Sequence, residues 1–306
     1  MYKKLLVATD ELKACDAPVV TAAKLAEQYR AKLLILHTLE SPYSAHTRHI
    51  VKHFKTGEET LGSTEYVDLV RQELTKACSE VLQTHGDYEV KVTPGVPWEE
   101  ILRWARSEQV DLVIVGPHTR RADDKGVVRV RGAIGSTAEG VIMHERYPVM
   151  IVGRVVPADK LQFRKIMVCV DFSNTSESAL KMAALTAKEH NSKLIVFHMV
   201  PLPGSQRYPQ EELERDIVRL KDKLQKFAGE TLEAVDHEWV VWEGTSPRVE
   251  ILKCAREKDI ELIVMGSHEK EKEDRWYVGS AVEQVSSRSI CPVVVVTKPK
   301  AAAQGL

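Results

Sequence analysis

The chain has no Cys-x-x-Cys pair, no apolar run of the roughly 18 residues that a membrane helix needs, and no surplus of charge of either sign. The five cysteines, Cys15, Cys78, Cys169, Cys254 and Cys291, are odd in number and scattered. Most sit in apolar or helical runs, which points to buried thiols in a reducing compartment. The formal net charge is -1, so no bulk basic field recruits nucleic acid or an acidic membrane surface. Met1-Tyr2-Lys3-Lys4 leads straight into an apolar run, with no secretory leader. The expected setting is therefore the cytoplasm. Catalytic signatures are missing too. There is no G-x-S-x-G, no H-E-x-x-H and no G-x-x-x-x-G-K-[S/T], and nothing nominates a general base.

What is present is a unit written twice. Leu262-Ile263-Val264-Met265-Gly266-Ser267-His268 is a short apolar run ending on glycine, followed after a charged loop by Gly279-Ser280-Ala281-Val282-Glu283. Leu112-Val113-Ile114-Val115-Gly116-Pro117-His118 and Gly135-Ser136-Thr137-Ala138-Glu139 repeat it in the first half. Strand, loop and helix N-terminus in that order form an anion-binding arrangement in open α/β sheets.

The rest of the chain alternates strands and helices. Strands are expected at 4–10, 33–39, 88–93, 111–116 and 148–152, and helices at 14–30, from 63 to about 84, 98–108 and 134–146. Residues 40–62 read as irregular, because Ser41, Pro42 and Gly57 interrupt any single element. The second half repeats the order, with strands at 165–171, 193–200, 237–242, 261–266 and 292–297. Its helices are expected at 173–191, 210–234, 247–258 and 281–289. Lys4, Asp10, His37 and Pro42 recur as Lys165, Asp171, His198 and Pro203; Pro97, Gly116 and His118 recur as Pro247, Gly266 and His268; Gly135, Ser136 and Pro148 recur as Gly279, Ser280 and Pro292. The spacing shrinks in steps because the first copy has longer loops. Duplication predicts two domains, 1–155 and 162–300, joined near Arg154 to Gln162. Each is expected to be a doubly wound α/β domain with a five-stranded parallel sheet and helices on both faces.

At these residues the chain resembles the universal stress protein family in its tandem form. The strand-end Asp10 and Asp171, the second-strand His37 and His198, the Gly-x-His after the fourth strand, the Gly-Ser helix starts and the Cys291 to Val296 ending carry the likeness. The resemblance implies the adenine nucleotide α hydrolase-like architecture. It also implies an ATP-type adenine nucleotide as ligand, with or without Mg²⁺. Final strands in this family pair across a two-fold axis, so Val149 to Val152 and Val293 to Val296 would pair as an internal pseudo-dimer. Association into a homodimer and a protein partner are further expectations.

Nucleotide-binding members carry G-x-x-G, nine residues, then G-[S/T]. Here Glu269 stands at the second glycine, with the nine-residue spacing to Gly279 kept. In the first copy Thr119 stands there, and the loop to Gly135 is six residues longer. A carboxylate facing phosphates is unfavourable unless it holds Mg²⁺ or turns away. The first loop, with Arg120, Arg121, Lys125, Arg129 and Arg131 against Asp123 and Asp124, suits an anion better by charge; the second suits it better by spacing.

The candidate binding residues are Asp171, Ser173, Gly266, His268, Gly279 and Ser280 in the second copy, and Asp10, Gly116, His118, Gly135 and Ser136 in the first. Each also has a plainer role. The acids and serines suit helix caps, and the histidines suit loop ordering. His46, His49 and His53 have helical metal-ligand spacing but lack a clear fourth ligand, so a polar segment is the preferred reading. Three functions follow: a stress-response protein with a nucleotide switch, a nucleotide-independent interaction scaffold with degenerate loops, or a slow ATPase.

Overall fold

The computed structural model describes residues 2–10, 16–41, 50–53, 56–83, 85–117, 134–202, 210–267 and 278–297. It divides into two compact units, Met1–Val156 and Pro157–Leu306.

In the first unit the elements run β1 (Lys4–Ala8), α1 (Ala17–Tyr29), β2 (Lys32–Glu40), β3 (Ile50–Lys52), β4 (Glu59–Leu61), α2 (Thr64–Ala77) and α3 (Ser79–Leu82). They continue with β5 (Tyr88–Gly95), α4 (Pro97–Glu108), β6 (Leu112–Val115), α5 (Ser136–His144) and β7 (Val149–Ile151). The main sheet is parallel throughout, in the order β7-β6-β1-β2-β5. Its central strands are apolar on both faces: Leu5, Leu6, Val7 and Leu112 to Val115 are all buried. Helices cover both sides, α1 beside α3 and α4 beside α5.

The second unit repeats this with β8 (Lys165–Cys169), α6 (Asn174–His190), β9 (Lys193–Pro201), α7 (Gln210–Ala228), β10 (His237–Gly244), α8 (Pro247–Glu257), β11 (Leu262–Gly266), α9 (Ser280–Arg288) and β12 (Val293–Val296). The order is β12-β11-β8-β9-β10, again all parallel.

Three differences from the sequence expectations have physical causes. Ile50–Lys52 and Glu59–Leu61 pair antiparallel, β3 on β4, where an irregular stretch was expected. Val51 gives the pair an anchor, packing into a cluster with Leu39 and Val70. Helix α1 starts at Ala17, one turn later than its counterpart α6 relative to the preceding strand, because Asp16 caps it and Pro18 follows in the first turn. The long helix of the second copy ends at Ala228 and tightens into a 3-10 turn at Gly229–Leu232, where Gly229 has φ +49°.

The amino-terminal edge of each sheet is tied down in the same way. Asp111 Oδ2 accepts the amides of Lys3 (2.6 Å) and Lys4 (2.9 Å), and Glu261 Oε2 accepts the amide of Arg164 (2.7 Å). Just upstream, Tyr2 meets Tyr29 edge-on at 5.0 Å, and Phe163 meets His190 edge-on at 5.4 Å. These ties hold the first strand of each unit at its amino end.

Candidate functional site

At the carboxyl edge of each sheet the winding direction reverses. β1 has β2 on one side and β6 on the other; β8 has β9 on one side and β11 on the other. Connections leave the two flanking strands in opposite directions, which opens a crevice outside the strand ends, where open α/β sheets take ligands. Asp10 and Gly116 lie at this point in the first unit, and Asp171 and Gly266 in the second.

The second unit's turn is closed by its own side chains. Asp171 Oδ1 accepts from Ser173 N (3.0 Å) and Ser173 Oγ (2.6 Å). Ser173 is the N-cap of α6, and its hydroxyl accepts from Ser176 N (3.1 Å). Between them Phe172 takes a left-handed backbone, φ +68°, uncommon for a bulky residue. Its ring lies 4.8 Å from that of His198 and 5.4 Å from that of Phe227, with Lys223 Nζ 3.9 Å above it. The first turn of α6 then passes directly over the end of β11. A Cβ on Gly266 would sit 2.5 Å from the Thr175 carbonyl carbon and 2.6 Å from Ser176 N. The absence of a side chain at Gly266 is what lets the two elements touch, so Asp171, Ser173 and Gly266 are brought together.

The first unit solves the same turn with other residues. Asp16 caps α1, accepting from Val19 N (3.1 Å) through Oδ1 and from Thr9 Oγ1 (2.8 Å) through Oδ2. Asp10 is exposed and lies upstream of that cap. Gly135 N donates to Pro117 O (2.7 Å), which sets the start of α5 beside the end of β6 and next to Gly116.

The two Gly-Ser helix starts are alike in a further way. Gly135 is the N-cap of α5 and Gly279 the N-cap of α9, and neither helix has a side-chain cap hydrogen bond. Ser136 and Ser280 are the first helical residues rather than the caps. At α1, α2 and α6, by contrast, the side chain of Asp16, Ser63 or Ser173 occupies a first-turn amide; α4 and α8 also lack a side-chain cap but begin with Pro97 and Pro247, which have no amide to offer. A helix start capped by glycine leaves its amides and the positive end of its dipole to an outside acceptor. Such a place suits an anion.

His37 and His198 lie within the second strand of each copy, β2 (Lys32–Glu40) and β9 (Lys193–Pro201). His37 Nδ1 lies 2.9 Å from Thr9 O and His198 Nδ1 2.7 Å from Val170 O. A carbonyl only accepts, so Nδ1 carries the proton in both. Burial pushes both imidazoles below their ordinary value, against the upward pull of these hydrogen bonds. At His198 the Lys223 ammonium lowers it further and Asp171 raises it. Burial likewise lowers His190. A base whose folded value is depressed binds its proton more readily in the unfolded chain. The stability it contributes is therefore full above the unfolded value of 6.5 and is lost as pH falls from there toward the folded value. Urea midpoints measured at pH 7.5 and 5.5 are expected to fall with acidification, and His37→Asn is expected to flatten that fall. An equal slope in the variant would remove His37 from the account.

Two carboxylates at this edge escaped the sequence reading. A Cβ on Gly95 would lie 2.8 Å from Glu100 Cγ, and one on Gly244 would lie 2.4 Å from Glu250 Cγ. Glu100 is buried, accepting from Thr93 Oγ1 (3.1 Å) and Arg103 Nε (2.8 Å). The signal was available, since each glycine precedes a Pro-started helix in both copies.

His118, His268, the two charged loops, His46 and His49 lie outside the described residues. His53 follows β3 and takes Thr56 N at 3.3 Å, its ring stacked 5.4 Å from Tyr66. Among the described residues no cluster of three or more His, Cys, Asp or Glu could hold a metal, and no helix is long and apolar enough to cross a membrane. A shallow groove of about 560 Å³ between α2 and β5 lies at the amino end of β5, away from the crevice.

The model of the universal stress protein family matches residues 1–153 and again 162–297. A universal stress protein of Methanocaldococcus jannaschii is 33% identical over 146 residues, which is 45% of this chain and 84% of the relative. One from Bacillus subtilis is 30% identical over 149 residues, 44% of this chain and 99% of its own length. Among solved structures, a universal stress protein from Archaeoglobus fulgidus covers 96% of both chains with a TM-score of 0.64 at 20% identity, a likeness of fold. Another structure of a universal stress protein from that organism, in complex with dAMP, is 24% identical, covers 44% of this chain and 98% of its own and has a TM-score of 0.34.

Proposed function

Because this chain belongs to the universal stress protein family, with one family unit in each half, we propose that it is a cytoplasmic stress-response protein that binds an ATP-type adenine nucleotide in at least one unit and uses it as a switch. The observation that carries the reading is the pair of glycine-capped helix starts at the carboxyl edge, α5 and α9, which leave first-turn donors for an external anion. Gly279 and Ser280, and Gly135 and Ser136, would hold phosphate through backbone amides and hydroxyls. Gly116 and Gly266 end the strands beside them. Asp10 and Asp171 are assigned to the sugar and base, with Ser173 bonded to Asp171. His118 and His268 are assigned to the phosphate or ribose. Mg²⁺ would neutralise phosphate charge, with Glu269 as its nearest acidic candidate in sequence. A protein partner, this chain in a second copy included, would read the nucleotide state.

A second reading, an interaction scaffold without nucleotide, draws support from the second unit. There Asp171 Oδ1 is engaged by Ser173, and Glu269 replaces a glycine. Denaturing freshly purified protein and weighing the released small molecules separates the two readings. Calorimetric titration of ATP and AMP, with and without Mg²⁺, follows on the emptied protein. Stoichiometric adenine nucleotide is expected, with affinity falling about tenfold in Ser280→Ala or Ser136→Ala, the loss of one charge-assisted hydrogen bond. An empty protein with no heat at millimolar ATP would establish the scaffold instead. ADP production that disappears in Asp171→Ala would move the assignment to a slow ATPase.

A further inference from the structure

The two second-strand histidines do the same thing at the same place, and the place is one peptide away from the strand-end acids. The β1–β2 register pairs Ala8 with Leu36, so the next residue, Thr9, faces His37; the β8–β9 register pairs Cys169 with Phe197, so Val170 faces His198. The backbone ladder continues to these residues, through Thr9 N to Leu36 O (3.0 Å) and Val170 N to Phe197 O (2.9 Å). The carbonyls of Thr9 and Val170 then accept from the imidazole of the residue opposite, at 2.9 and 2.7 Å. Each of those carbonyls shares a rigid peptide plane with the amide nitrogen of the following acid, Asp10 or Asp171. In the second unit the plane is gripped on both sides, since Asp171 N lies 3.4 Å from Ser176 Oγ while Val170 O takes His198.

We infer that His37 and His198 are positioning residues, each holding through Nδ1–H the peptide plane from which the strand-end carboxylate, Asp10 or Asp171, is presented to the crevice. A side-chain donor suits this point. The chain must leave the sheet here to begin the crossover, and a donor from the neighbouring strand can follow it where a backbone rung cannot. The groups facing His198 are Phe172 on its own turn, Lys223 on α7 and Asp171; none of them accepts from Nδ1 in place of the carbonyl. The role assigned to the acids rests on the nucleotide reading above, but the geometry of the peptide plane does not.

The test uses the full chain with His198→Asn and His198→Gln. An asparagine amide reaches the position of Nδ1, and a glutamine amide reaches that of Nε2, so the two variants differ in the one bond at issue. The first readout needs no ligand. The carboxyl carbon of Asp171 is titrated by NMR; both variants lose the imidazole charge, so their midpoints are compared with each other, and that of His198→Gln is expected to lie further from the wild type than that of His198→Asn. The second is ATP affinity by calorimetry, expected to stay within threefold in the Asn variant and to fall at least tenfold in the Gln variant. If both variants keep the Asp171 midpoint and differ from wild type in melting temperature alone, His198 is only a strand pin and the inference fails. It fails equally if both move the midpoint by the same amount. If the wild type binds no nucleotide, the proposed function falls while the NMR comparison still decides this point.

Discussion

Gly266→Val is expected to destabilise the second unit by about 3 kcal/mol, near the upper end for overpacking a filled site. The new Cβ would lie 2.5 Å from the carbonyl carbon of Thr175, 2.6 Å from Ser176 N and 2.8 Å from Thr175 O. All three are backbone atoms of the α6 first turn, so no rotamer change relieves the clash. The helix start has to lift from the end of β11. That motion strains the Ser173–Ser176 cap and the turn carrying Asp171, so nucleotide binding in this unit is expected to fall with stability. Gly244→Ala makes a contrast. Its Cβ meets Glu250 Cγ at 2.4 Å, a side-chain atom able to swing aside, and the expected cost is about 1 kcal/mol. Equilibrium urea unfolding of both variants checks the ranking. A Gly266→Val protein as stable as wild type would mean that α6 does not rest on β11.

Phe163→Ala is expected to cost about 4 kcal/mol, in the range for deleting a buried aromatic ring. Phe163 is 1% exposed and meets His190 at the carboxy-terminal end of α6, directly before the Arg164 amide bound by Glu261. Removing the ring leaves a cavity under the start of β8, the strand that leads to Asp171. Guanidinium denaturation is the measurement, and a loss below about 1 kcal/mol would show that the ring is not packed as described. Tyr2→Ala tests the equivalent tie in the first unit, where Tyr2 meets Tyr29.

Much of the fold was legible because it is periodic and repeated. Buried strands announce themselves as apolar runs, helices as faces, and a duplicated order of both leaves one economical topology, the doubly wound parallel sheet. The carboxyl-edge residues were legible as a group for the same reason: Asp10 with Asp171, Gly116 with Gly266, and Gly135-Ser136 with Gly279-Ser280 recur at matching points. Their individual partners were less legible. Sequence offered Ser136 and Ser280 as caps or phosphate ligands; the helices begin at these serines and leave the cap to glycine. It offered Asp10 and Asp171 as equivalents; in the first unit the cap passes to Asp16 and the helix opens one turn later.

The sequence alone determined the family, the duplication, the order of elements and the parallel sheet, since each follows from local patterns that recur along the chain. Tertiary structure decided why Gly266 has no side chain, which carbonyl His37 and His198 hold, and that Ile50–Lys52 pairs with Glu59–Leu61. The first two depend on atoms brought within about 3 Å from segments far apart in sequence, and the third on the packing of Val51 against Leu39 and Val70; packing and register rather than local preference set these outcomes.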